Sequence, residues 1–244
     1  MTSKTTINQE EVEKFSKMAD EWWDPEGKFK PLHKINPVRL KYLREAICTH
    51  FKIKDDESPL KNLSILDIGC GGGLVSIPLA RLGAKLTAID ASEKNLRVAA
   101  ISAQKFGAEV DFQHKAVEEL QSGPFDVILA LEVIEHIDNV SLFIENIARL
   151  LKGNGILVLS TINRTINAYL KAIIGAEYIL RWLPIGTHEF KKFLKPSEIV
   201  AHLDSNNLKL CEMKGLVFNP LSWEWSLSDD IDVNYFMLVE KKLK

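Results

Sequence analysis

Between residues 10 and 51 apolar side chains recur at helical spacing; beyond residue 63 they gather into short, nearly continuous runs. Over 10–23, Val12, Phe15, Met18, Ala19 and Trp22 mark one face of a predicted helix, and Asp24-Pro25-Glu26-Gly27 ends it. Residues 37–51 predict a second helix, with Pro37 in its first turn and Leu40, Leu43, Ile47 and Phe51 as its stripe. The polar stretch 52–62 reads as a linker. The runs 64–68, 85–89, 109–113, 125–131 and 155–161 then predict buried strands, with helical stretches at 74–82, 93–106 and 141–151 between them. Strand and helix alternate, which predicts an α/β fold with a doubly wound, mostly parallel sheet. A helix at 197–204 precedes two more apolar runs, 208–218 and 233–240. A Trp- and Ser-rich connection without helical pattern joins them, so they predict an antiparallel pair and bring the sheet to seven strands. Residues 163–192 interrupt the alternation. Within them 167–183 predicts an amphipathic helix, because Asn167, Lys171, Glu177 and Arg181 fall in one arc and the rest is largely apolar. The expected organisation is an N-terminal helical extension, 1–62, and an α/β domain, 63–244, with 163–192 as an inserted segment.

Composition narrows the function without naming it. The chain has 244 residues, 46% hydrophobic and 26% charged, which is ordinary globular composition. Lys plus Arg is 31 and Asp plus Glu is 33, a formal net charge of −2. That balance excludes a bulk polyanion binder, and no nucleic-acid partner is expected. The longest uncharged run, 68–80, is far shorter than the ~20 residues needed to span a bilayer. Residues 1–14 hold no apolar stretch of signal-peptide length. Cys48, Cys70 and Cys211 are too few and scattered for a disulfide framework or a zinc site, and a reducing cytoplasm is the expected compartment.

The densest chemical signal is Leu66-Asp67-Ile68-Gly69-Cys70-Gly71-Gly72-Gly73, where the first strand ends and a helix opens. Glycines there allow backbone to approach a ligand closely. Asp90 closes the second strand, where a carboxylate can accept from both hydroxyls of a ribose. The dinucleotide pattern Gly-x-Gly-x-x-Gly fails, because its third position is Leu74. The pattern present, an acidic residue two before Gly-x-Gly, resembles the first motif of class I S-adenosylmethionine (SAM) methyltransferases, a Rossmann-like fold. Asp67 is then placed to orient the amino acid end of the cofactor. Cys70 reads as a small filler of the turn.

The fourth strand runs into Glu132-Val133-Ile134-Glu135-His136. Ligands of doubly wound sheets bind at the carboxyl ends of strands. If the chain turns helical after Leu131, positions 132, 135 and 136 share one face. Two carboxylates and an imidazole there predict a divalent metal site, with Mg²⁺ favoured by the carboxylates and Zn²⁺ or Mn²⁺ also suited to the imidazole. A cation would favour the phenolate of a phenolic substrate. Two other readings stay open: His136 as a metal-free general base, and a structural role.

More specific stretches extend the resemblance. They are Trp22-Trp23-Asp24, Phe29-Lys30-Pro31-Leu32-His33, Ile35-Asn36-Pro37-Val38-Arg39, Ser160-Thr161-Ile162-Asn163-Arg164, Gly175-Ala176-Glu177-Tyr178, Gly186-Thr187-His188, Lys191-Lys192-Phe193, Asn219-Pro220 and Asp232-Val233-Asn234-Tyr235. With them the chain resembles the O-methyltransferase family of ubiquinone biosynthesis over about 15–235. The resemblance implies methyl transfer from SAM to a phenolic hydroxyl of a prenylated catechol or quinol, namely 2-polyprenyl-6-hydroxyphenol and 3-demethylubiquinol. It implies cofactor contacts from Arg39, Gly69, Gly71, Asp90 and Leu131, with Glu132, Glu135 and His136 at the family's metal-binding positions. It also implies a substrate living in the bilayer. Segment 163–192, with Trp182 beside Arg181, and with Lys191, Lys192 and Lys195, is then expected to make peripheral membrane contact at the inner face, or to pack as a lid. Other ubiquinone-biosynthesis proteins are expected partners. Trp22, Trp23, Phe29, Trp223 and Trp225 are candidates for lining a pocket, and His33 and His188 read as hydrogen-bonded structural residues. The rival functions are a methyltransferase of a soluble small molecule, a non-catalytic SAM-binding subunit of a membrane complex, and an NAD-dependent oxidoreductase.

Overall fold

The computed structural model describes residues 5–54, 57–170, 189–219 and 224–242. Its first helix, α1 (Gln9–Ser16), is opened by Asn8, whose side chain accepts from the Glu11 N–H. The helix expected over 10–23 stops at Ser16, and a 3₁₀ turn over Ala19–Glu21 follows. The break lets two adjacent indoles both find partners. Trp22 Nε1 donates to Asn95 Oδ1 at 3.0 Å and Trp23 Nε1 to the Gly72 carbonyl at 2.8 Å. The second helix, α2 (Lys30–Phe51), starts earlier than residue 37: Pro31 occupies its first turn and Pro37 lies inside it. An internal proline forfeits one N–H bond. Burial of Ile35, Leu43 and Ile47 in a core shared with the sheet offsets that loss.

The α/β part follows as β1 (Ser64–Ile68), α3 (Ser76–Arg81), β2 (Lys85–Asp90), α4 (Glu93–Lys105), β3 (Val110–His114), β4 (Phe125–Leu131), α5 (Val140–Leu150), β5 (Leu151–Ile162), α6 (Ile166–Ala168), α7 (Pro196–Ser205), β6 (Leu208–Asn219), β7 (Glu224–Ser228) and β8 (Asn234–Lys241). The sheet has eight strands in the order β3-β2-β1-β4-β5-β8-β6-β7. The pairs from β3 through β5 are parallel. β8 runs antiparallel to both β5 and β6, and β7 antiparallel to β6. All seven predicted strands are present. The eighth, β7, lies in the Trp- and Ser-rich connection, whose half-exposed residues carry too weak an alternation to mark a strand by themselves.

Alternate residues of the central strands feed two cores. Ile65, Val127, Leu129, Ile156 and Val158 face Leu43, Ile47 and Leu79. Leu66, Ile128, Ala130, Leu157 and Leu159 face Phe143, Ile147, Ile199 and Leu203. With both faces covered, every residue of β4 is buried, which explains its apolar run from Val127 to Leu131. Strand order reverses between β1 and β4, so a crevice opens at their carboxyl ends.

Most of the predicted amphipathic helix 167–183 falls outside the described residues, with Trp182, His188 and Trp223. What precedes it is described. Ile166, Tyr169 and Leu170 are 75%, 42% and 48% exposed. Among the described residues no helix is long and apolar enough to cross a membrane.

Candidate active site

A cavity of about 260 Å³ occupies the crevice. Arg39, Asp67, Gly69, Gly71, Asp90, Leu131, Glu132, Glu135 and His136 all line it. So do Glu11, Val12 and Phe15 of α1, and Trp22 and Phe29.

On the β1–β2 side the polar groups are held locally. Asp90 Oδ1 accepts from the Ser92 N–H at 2.8 Å and from Asn95 Nδ2 at 3.3 Å, and Oδ2 from the Gly71 N–H at 2.8 Å. A carboxylate offers about four acceptor sites, so Oδ2 keeps capacity for one more donor. Burial raises the Asp90 carboxyl above its usual range, partly offset by those N–H groups. Asp67 is buried and accepts from Ser76 Oγ. Burial pushes its carboxyl up to about 6, against the pull of the Ser76 hydrogen bond and the nearby Arg39 charge.

The glycines also make room for neighbouring side chains. A side chain on Gly71 would stand 2.4 Å from the Trp22 ring, and on Gly72 2.4 Å from Trp22 Cβ. Those two positions are therefore bare to seat an indole. Trp22 is in turn stacked on Phe29, with centroids 3.8 Å apart and planes 7° from parallel. Gly69 is exposed, has φ +67°, and leaves room for Val133, 2.5 Å from where its Cβ would be. Cys70 is buried in the turn and burial pushes its thiol up, as suits a filler.

The β4 side departs from expectation. Glu132 takes a left-handed conformation, φ 50°, and a 3₁₀ turn over Ile134–His136 follows in place of an α-helix. Positions 132, 135 and 136 are therefore not set by α-helical spacing, although all three line the cavity. Glu132 Oε2 accepts from Arg39 Nη1 at 2.5 Å and Oε1 from Ser160 Oγ at 2.7 Å. Glu135 is buried, accepts from Thr161 Oγ1 at 2.8 Å, and is held toward its neutral form by burial. His136 Nδ1 faces Glu11 Oε2 at 2.9 Å. As folded, this donor set does not fit a divalent cation: each group is committed in a different direction. Among the described residues no cluster of acidic, histidine or cysteine side chains is placed to hold one.

Arg39 is buried, fixed through Asn36 Oδ1 at 3.2 and 3.0 Å as well as by Glu132. It is a cation that a carboxylate ligand could claim. His33 Nε2 contacts the Trp22 carbonyl at 2.9 Å, a structural hydrogen bond. Trp225 packs on Phe218 and lies away from the cavity. Lys192 pairs with Glu11 at 2.8 Å and Glu189 at 3.0 Å.

Known proteins resemble this chain at two levels. Residues 66–159 match the family model for a methyltransferase domain. The ubiquinone biosynthesis O-methyltransferase of Pelagibacter ubique (strain HTCC1062) is 50% identical over 231 residues, covering 94% of this chain and 96% of that protein. That of Maricaulis maris (strain MCS10) is 49% identical over 242 residues, covering 98% and 95%. The chain belongs to the ubiquinone biosynthesis O-methyltransferase family. As a member it is a SAM-dependent O-methyltransferase, and the class I fold agrees with more distant solved structures. The magnesium protoporphyrin IX methyltransferase of Synechocystis PCC 6803, with bound SAH, superposes with TM-score 0.64 at 20% identity over 94% of both chains. The plantazolicin methyltransferase BpumL, also with SAH, superposes with TM-score 0.63 at 17% identity, covering 96% of this chain and all of that one.

The cavity residues that sequence reasoning missed include Glu11, Asn95 and Val133. Glu11 carried no signal, being one of three acids, with Glu10 and Glu13, in a short helix. Asn95 stood three residues beyond the N-cap Ser92 of α4, where a second cap partner is a routine reading.

Proposed function

We propose that this chain methylates a phenolic hydroxyl of a prenylated catechol or quinol in ubiquinone biosynthesis, with His136 as the proton acceptor. The observation that carries the reading is one cavity in which buried Arg39 and Asp67 and half-buried Asp90 stand opposite the Glu132–His136 turn, with apolar walls from Val12, Phe15 and Phe29. Arg39 would hold the carboxylate of SAM, Asp67 its ammonium, and Asp90 a ribose hydroxyl. Gly69 and Leu131 would border the adenosine. Bound SAM supplies a methyl carbon on a cationic sulfur. His136 takes the phenolic proton as the oxygen forms its bond to that carbon and the carbon–sulfur bond breaks. Holding oxygen and carbon in line in a dry cavity supplies much of the acceleration. Glu132 and Glu135 keep the turn in place, through Arg39 and Ser160 and through Thr161 respectively. No step is assigned to a cation, because the side chains do not converge on a site for one.

Contact with a bilayer surface is part of the proposal. Exposed Ile166, Tyr169 and Leu170 lead into 171–188, whose sequence continues apolar with basic residues. The test is methyl transfer from labelled SAM to a short-chain prenyl catechol, with and without EDTA. The expected result is transfer that survives EDTA. Transfer lost with EDTA and restored by Mg²⁺ or Zn²⁺ would return the metal reading. SAM binding without transfer to any catechol would favour a soluble substrate or a non-catalytic role.

A further inference from the structure

The segment ahead of β1 holds the glycine turn and the start of α4 at several points. Trp22 fills the space that bare Gly71 and Gly72 leave. Trp23 Nε1 donates to the Gly72 carbonyl at 2.8 Å, and Asn36 Nδ2 to the Leu74 carbonyl at 2.8 Å. The hydroxyls of Ser16 and Ser92 share a hydrogen bond at 2.6 Å. One further contact reaches past the backbone to the carboxylate at the end of β2. Trp22 Nε1 donates to Asn95 Oδ1 at 3.0 Å, and Asn95 Nδ2 donates in turn to Asp90 Oδ1 at 3.3 Å. Asn95 lines the cavity and is buried.

This relay has a direction. An indole nitrogen is a donor only, so it decides which end of the Asn95 amide faces Trp22. The amide oxygen is turned to the indole, and the NH₂ group is left for Asp90. Turned the other way, the buried amide would set donor against donor and acceptor against acceptor, and both ends would go unsatisfied. The consequence falls on Asp90. Its Oδ1 accepts from Asn95 Nδ2 and from the Ser92 N–H, which occupies both lone pairs of that oxygen. The free acceptor site is then on Oδ2, beside the Gly71 N–H. The partners of Asp90 lie 2, 5 and 19 residues from it, but the donor that orients Asn95 comes from 73 residues away.

We propose that Asn95 is a positioning residue for Asp90, held in its working orientation by Trp22, and that the pair sets the carboxylate for the ribose of the cofactor. The inference rests on the reading of Asp90 as the ribose-binding group. Fastening alone would not require the relay, since Trp23, Asn36 and Ser16 already tie the same segment to the same turn and helix. The hydrogen bonds from Ser92, Gly71 and Asn95 also favour the ionised carboxylate against the effect of burial. Without the segment ahead of β1, the α/β part would keep Asn95 but lose the donor that turns it.

The test is calorimetry on the full chain with two ligands, SAH and its analogue lacking both ribose hydroxyls. In the wild type the analogue should bind at least about tenfold more weakly, the effect of removing a hydrogen bond to a charged group. Asn95→Asp keeps an acceptor for Trp22 Nε1 and removes the N–H that Asp90 uses. Trp22→Phe removes the donor that turns the amide, keeps an aromatic ring against the glycines and adds no charge. In both variants SAH should bind about five- to fiftyfold more weakly, and the two ligands should come within about threefold of each other. Trp23→Phe cuts a different tie of the same segment and should leave the ratio at its wild-type value. Both ligands weakened alike with the ratio kept, no binding of either, unchanged SAH affinity, or a ratio that collapses in Trp23→Phe as well would overturn the inference and leave the role of Asp90 standing. Equal binding of the two ligands by the wild type would overturn the ribose reading of Asp90 and the inference with it.

Discussion

The two sides of the cavity differ in how far along the chain their partners lie. On the β1–β2 side, Asp90 is bonded to groups 2 and 19 residues away, and Asp67 to a hydroxyl 9 residues away. On the β4 side, Glu135 and Glu132 reach groups 26 and 28 residues away, and Glu132 also reaches Arg39 across 93. Lys192 and Glu11 meet across 181. The first side is therefore a local turn, recognisable wherever its residues occur. The second is assembled by the fold from α1, α2, β4, β5 and the turn before α7. The same residue types on a different frame would make a different site.

The sharpest way to break this comparison is at His136. His136→Asn should lower kcat by about 10²-fold or more, within the range general-base removal causes, while leaving SAH affinity within about twofold by calorimetry. A loss of cofactor binding instead would make the two sides one unit. Next comes Arg39, which touches both sides. Arg39→Leu removes a charge-assisted partner of a carboxylate and should weaken SAH binding by about 10- to 100-fold. It also leaves Glu132 without its guanidinium, so kcat should fall in addition. A variant that altered kcat alone would place Arg39 on the chemical side only.

The smallest effect sharpens the cofactor side. Asp67 titrates near 6 when buried, so it is largely neutral at pH 5 and ionised at pH 7. If it holds the ammonium group, SAH affinity rises severalfold as pH climbs through about 6 and then levels. Asp67→Asn should flatten that slope, and a slope unchanged in the variant would assign it to another group. The same shift has a stability consequence of opposite sense. The folded chain holds this proton more tightly than the unfolded chain, whose reference value is 3.8. The contribution of Asp67 to stability is thus fully present below about 3.8 and is lost as pH rises through about 6.

Much of this was legible in the amino-acid order, and the misreadings share a cause. The central parallel strands β4 and β5 could be read because burial on both faces gives them apolar runs. β7 could not, since it lies at the sheet edge with half-exposed residues, where pairing with β6 rather than pattern makes the strand. The start of α2 was misplaced because Pro37 suits a first turn equally well, and only the packing of Ile35 decided for the longer helix. The convergence of Glu132, Glu135 and His136 assumed helical spacing. The left-handed step at Glu132 rests on its bonds to Ser160 and Arg39, neither of which is near it in sequence.

Taken alone, the sequence determined the doubly wound fold, the place of the glycine turn and many of the residues that line the cavity. Each depends on local order: hydrophobic period, strand-end glycines, and acids at fixed offsets from them. The tertiary structure alone decided what those residues touch. It seated Trp22 on Gly71 and Gly72, spent Glu132 on Arg39 and buried Glu135 against Thr161. It brought Glu11 from the first helix to His136. Direction, burial and partner of a side chain follow from how distant segments pack, and that information is not carried by spacing along the chain.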